Sequence, residues 1–125
     1  MKTYFFSALI SGLLITSSTL AVATTPRNIS GNYTTETTHP DGETYTGILQ
    51  ITQTNNTYAL NWDNNSLLGT GVRVDDMLAV AYGESECSIA GYQILENGDL
   101  NGVWAYQESK LGNEYATASI SNEGR

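Results

Sequence analysis

Through much of the chain, hydrophobic and polar residues alternate with the period of a strand. Tyr45, Gly47, Leu49 and Ile51 interleave with Thr46, Ile48, Gln50 and Thr52, a period of two that leaves one face wet. The same pattern predicts strands over Ser30–Thr38, Glu43–Gln53, Thr57–Trp62, Leu67–Val74, Met77–Gly83 and Ser88–Leu95. A seventh follows within the segment ending at Ala105, and an eighth covers Gly112–Ile120. Short runs of turn formers punctuate them: His39-Pro40-Asp41-Gly42, Asn55-Asn56, Asp63-Asn64-Asn65, Asp75-Asp76 and Asn97-Gly98. Proline pre-sets φ in such turns, while glycine and asparagine tolerate positive φ. Met77–Gly83 is apolar at both parities, which marks it as the strand expected to be most buried. Gly69, Gly71 and Arg73 share one face, so the two glycines leave a bare strip that Trp62 or Trp104 could cover.

Eight short strands without a crossover long enough for a parallel pair predict an antiparallel meander. Closure into an all-β, eight-stranded up-and-down barrel removes the two exposed edges. At this strand number the interior is either just filled by side chains or holds one small ligand. Trp62, Trp104, Tyr45, Tyr58, Tyr82 and Tyr92 are the candidate lining of such a site. Aromatics at strand spacing also fill small β cores, and a filled interior is the expectation here.

The start of the chain changes the picture of compartment. Lys2, the apolar run Tyr4–Leu14 and Ala21-Val22-Ala23 have the form of a secretory signal, so residues 1–23 are expected to be cleaved. Residues 24–29 then form a flexible lead, 30–120 a single barrel domain and 121–125 a tail. The mature protein is expected to be secreted or periplasmic, with no membrane attachment. Without Lys2, four of the five basic residues face all 13 acidic ones, a formal charge of −9 in place of −8. Nucleic acid and anionic lipid need a cationic face, which argues against both as partners. A basic protein partner suits the charge. Cys87 is the single cysteine, so an internal disulfide is impossible and a monomer or a Cys87-linked dimer remains open.

Candidate chemistry is sparse. Arg73 is the one cation between Arg27 and Lys110, and an inward Arg73 would require a carboxylate, for which Glu114 is the candidate. Asp63-Asn64-Asn65 and Asp75-Asp76 lack the spacing of a dedicated calcium loop, and His39 alone cannot build a zinc site, so neither metal nor cofactor is expected. Carboxylate pairs for general acid–base work have no distinguishing arrangement among the acids.

Gly31-Asn32-Tyr33, Pro40-Asp41-Gly42 with Tyr45 and Gly47, Tyr58 with Trp62, Gly69-Thr70-Gly71, Leu78-Ala79-Val80, Tyr92-Gln93-Ile94, Gly98 with Leu100, Gly102 and Trp104, and Gly112 with Glu114 form a further pattern. Together they resemble a family of small exported bacterial β-barrel domains sometimes labelled fibronectin-binding. The Gly-x-Leu-x-Gly-x-Trp stretch is more loosely similar to strands of avidin-like and lipocalin-like barrels. The first resemblance implies an adhesive or host-matrix partner. The expectation is therefore a non-catalytic, protein-binding module, in one form an inhibitor of a basic host enzyme such as lysozyme. A carrier of a small apolar ligand inside the barrel is the alternative, and a weak hydrolase or isomerase represents the enzyme class.

Overall fold

A computed structural model describes residues 27–84, 88–106 and 110–119. The expected signal segment, Cys87 and the C-terminal tail lie outside the described residues. Eight strands follow in order: β1 (Gly31–Thr38), β2 (Thr44–Thr54), β3 (Thr57–Trp62), β4 (Leu67–Val74), β5 (Met77–Tyr82), β6 (Ser88–Ile94), β7 (Leu100–Tyr106) and β8 (Lys110–Ala118). Each pairs antiparallel with its neighbour, and β1 closes on β8, giving an up-and-down barrel. The expected architecture is the one observed.

The strands are staggered as closure demands. Following paired residues from Gly31 at the lower end of β1 leads through Ile51, Leu60 and Gly69 to Tyr82 at the upper end of β5. Such a climb is the tilt that lets a sheet meet itself, about 35–45° from the axis. It also sets the height at which each inward side chain sits.

The turns use their residues in specific ways. Gly42 and Gly98 take φ of 92° and 91°, and Asn55 and Asp75 adopt left-handed values of 54° and 52°. At Asn97-Gly98 only the glycine is left-handed. Asn97 instead accepts the Asp99 amide through its side chain at 3.0 Å, and Gly98 N–H donates to the Leu95 carbonyl.

Inward residues sort by height. Tyr33, Leu49, Ile51, Tyr58, Leu60, Leu78, Val80, Ile94 and Leu100 are buried and fill the lower part of the barrel. Ile29 joins them at 1% exposure, carried by the segment that precedes β1. Of the flexible lead expected over residues 24–29, residues 27–29 are described, and there Ile29 plugs the lower mouth. Tyr33 Oη donates to the Ile29 carbonyl at 2.6 Å, Arg73 Nη1 donates to the Arg27 carbonyl, and Arg27 Nη2 donates to the Glu96 carbonyl. The lower mouth is thus stitched from both sides of the barrel.

One expectation fails on packing. β5 is not buried on both faces: Leu78 and Val80 point inward, while Met77, Ala79 and Ala81 are exposed. In a single-layer barrel the outer face has no second sheet or helix to cover it, so apolar residues at both parities need not be buried. The bare strip is covered by Trp62 at Gly69, as expected, and by the aliphatic side chains of Leu78 and Leu60 at Gly71, while Trp104 lies over Gly112.

Candidate functional site

The upper part of the barrel is hollow. A cavity of about 410 Å³ opens there, lined by Thr35, Thr37 and Thr46 with Gly47, Leu67 and Ala90 among larger groups. Tyr45, Trp62, Tyr82, Tyr92, Trp104 and Glu114 supply most of its chemistry. The interior is therefore filled below and empty above, a correction to the expected self-filled core. Small residues in the lining explain the void: Thr35 and Thr37 on β1, Gly47 on β2 and Ala90 on β6 border it without reaching across.

Glu114 lies at the inner end of this cup, 6% exposed. Its strand position between Gly112 and Ala116 turns it inward, and three neutral donors converge on it. Trp62 Nε1 donates to Oε1 at 3.0 Å, Tyr92 Oη to the same oxygen at 2.8 Å, and Thr37 Oγ1 to Oε2 at 2.8 Å. A carboxylate offers about four lone-pair positions, so Oε2 retains one. Burial, the nearby Glu114 charge and the bond to it all push the Tyr92 hydroxyl above the ordinary tyrosine range, keeping it a donor. Burial, opposed by a bond from Ser88 and reinforced by Glu114, raises Tyr82 as well.

Glycines make room for the rings. Gly102 and Gly112 are the paired neighbours of Tyr92 and Trp104, and a methyl group at either would overlap the ring lying on it. Trp104 Nε1 donates to the Asn113 carbonyl at 3.3 Å, and Tyr82 Oη to that of Ala105 at 3.2 Å. His39 turns its ring over the mouth, edge-on to Tyr45 at 4.7 Å and to Trp104 at 5.0 Å.

A strained turn places a second carboxylate on the rim. Asp63, Asn64 and Asn65 all have positive φ, at 49°, 53° and 72°. Three consecutive left-handed residues without glycine are costly, on the order of 1–2 kcal/mol each before local bonding. Asn61 and Asn65 offset this by exchanging two hydrogen bonds of 2.6 and 2.7 Å, and Ser66 Oγ donates to the Asp63 carbonyl. Asp63 Oδ1 accepts the Ile48 amide at 2.9 Å, directly above Gly47, where a Cβ would come within 2.6 Å of it.

Six of the eight sequence-predicted site residues thus meet in one cup. Tyr58 does not: it is buried in the lower core. Arg73 faces inward, as Gly69 and Gly71 do, but at the lower end. It donates to the carbonyls of Arg27 and Asp75 rather than to Glu114. The Arg73–Glu114 pair is replaced by a clasp on the plug below and a bonded carboxylate above. Residues missed from sequence are His39 and Asp63, which read as ordinary turn formers, and Thr35 and Thr37, whose inward parity with Tyr33 was visible. No family model and no curated protein matches this chain. The resemblances to exported bacterial barrels and to avidin-like and lipocalin-like proteins therefore stand on the residues quoted for them. Among the described residues no group of three or more His, Cys, Asp and Glu side chains could hold a metal.

Proposed function

We propose that the protein binds one small, largely flat molecule in the upper cup and acts by sequestering or carrying it. The observation that carries this reading is the cavity of about 410 Å³, walled by aromatic rings with a buried carboxylate at its inner end. Small-molecule sites have that composition: a mostly apolar lining, a few fixed polar groups and a volume of about 300–1,000 Å³. The rings are held by glycine seats and hydrogen bonds, so little ordering is required on binding.

Two of the walls are tryptophans, which gives a direct test. A neutral aromatic dye, N-phenyl-1-naphthylamine, is titrated while Trp fluorescence is followed. Saturable quenching, lost in Ala90→Phe, which fills the cup from β6, supports the reading. Quenching that survives Ala90→Phe, or no saturable change at all, overturns it.

An observation on the exterior favours a second reading, a protein partner. The outer faces of β1 to β3 are mostly polar, whereas Val72, Met77, Ile89, Val103 and Leu111 are exposed on β4 to β8, around the small Ala79, Ala81 and Gly91. Contiguous exposed apolar patches mark interaction surfaces. Ile89→Lys should weaken retention on immobilised fibronectin or lysozyme if that face is used, and unchanged retention removes this reading.

A further inference from the structure

Among the described residues no lysine or arginine stands beside Glu114 in the cup, and His39, the basic side chain in the lining, sits at the mouth against Tyr45 and Trp104. The three protein donors to Glu114 are an indole, a phenol and a hydroxyl, all neutral. A second carboxylate, Asp63, lines the rim, and among the described residues no lysine or arginine lines the cavity. Arg73, the inward cation, is engaged at the opposite end by the carbonyls of Arg27 and Asp75. A carboxylate withdrawn from water without a cation is costly, and a partner that brings both positive charge and N–H groups relieves that cost.

The surrounding rings favour the same partner. Trp62 and Tyr82 stand 5.9 Å apart between centroids at a tilt of 58°, and Trp104 with Tyr45 flanks the mouth. Aromatic faces attract cations, most strongly where water is excluded. The cup thus has a negative inner end, walls that tolerate a cation and room for a flat body behind it.

We propose that the cup selects a small aromatic cation, an amidinium or protonated amine, whose N–H groups donate to the open position on Glu114 Oε2 while its ring lies among Trp62, Tyr82 and Trp104. This rests on the cup being a ligand site at all. It adds the charge class of the ligand.

The test uses three probes of one shape: benzamidine, benzamide and benzoate, which are cationic, neutral and anionic. Each is titrated into the protein by calorimetry, with N-phenyl-1-naphthylamine as the neutral control. Benzamidine is expected to bind about tenfold or more tighter than benzamide, because only the amidinium adds a net positive charge to the N–H groups that meet the carboxylate, and benzoate weakest of all. In Glu114→Gln the preference for benzamidine should fall to within about twofold while benzamide still binds. Equal affinities for the two in the native protein, or a preference that survives Glu114→Gln, overturns the charge selection. Should Glu114→Gln fail to fold, nuclear Overhauser contacts in the native complex decide. An amidinium beside Thr37 and Tyr92 supports the proposal, and one beside Tyr45 with the ring inward overturns it. If the neutral dye binds but the charge preference is absent, only this inference falls; if neither dye nor probes bind, the cup reading falls with it.

Discussion

The Trp62 indole N–H donates to Glu114 across the barrel, at 3.0 Å, joining β3 to β8 through the interior. The bond does two things at once. It orients the carboxylate, and it fixes a large aromatic wall beside the cavity.

Trp62→Phe tests that bond while keeping much of the ring. Removing one hydrogen bond to a charged acceptor should lower unfolding free energy by about 1.5–3 kcal/mol. In a Glu114→Gln background the same change should cost about 0.5–1.5 kcal/mol, since the acceptor is then neutral. Urea unfolding of the four proteins of the double-mutant cycle gives the coupling; equal losses in both backgrounds would show that lost packing, not the bond, sets the cost.

Glycine substitutions should divide by what lies above them. Gly112→Ala pushes a methyl group into the Trp104 indole, and Gly102→Ala into the Tyr92 ring, whereas Gly91 has nothing within 4 Å of its added Cβ. The first two should destabilise by about 1–3 kcal/mol through overpacking. Gly91→Ala should be neutral or slightly stabilising, as strand glycines are entropically costly. Thermal melts rank the three, and Gly112→Ala should also shift the Trp emission maximum.

Alkaline stability follows from Tyr33. Burial, reinforced by Asp99 and opposed by Arg73 and Arg27, pushes its hydroxyl up to about 12 from an ordinary 10. Between these values the folded state holds a proton that the unfolded chain releases, so stability is full below about pH 10 and falls as pH rises toward about 12. Unfolding free energy measured across that window should decline, and less steeply in Tyr33→Phe. An undiminished slope in that variant would move the effect to Tyr92.

The plug at the lower mouth depends on Arg73. Arg73→Met keeps much of the apolar stem but removes the donors to the carbonyls of Arg27 and Asp75. Trypsin should then cut after Arg27 faster than in the native protein, because the segment carrying Ile29 can leave its seat. Ile29→Ala should have the same effect and cost about 2–5 kcal/mol, as for other buried aliphatic truncations. Ligand affinity in the upper cup should be unchanged by Arg73→Met.

Strand order, closure and the alternation of faces in β2, β3 and β4 were legible in the sequence, whereas β5, apolar at both parities, was not assigned a face by its pattern. These properties are local. Alternation assigns each residue a face within its own strand, and a few Asn, Asp, Gly and Pro residues mark where the chain reverses. With all eight strands consecutive neighbours, little topology was left to choose.

Height along the barrel axis was not legible, because it depends on the stagger that closure imposes on all eight strands together. Arg73 and Glu114 share the inward parity, yet stagger sends one to the plug and the other to the cup. The partners of Glu114 lie 22, 52 and 77 residues away in the chain, and no local pattern aligns them. Whether inward aromatics fill the interior or wall a void likewise depends on what faces them. Here it was threonine, glycine and alanine from other strands, a matter of three-dimensional packing that one-dimensional spacing does not encode.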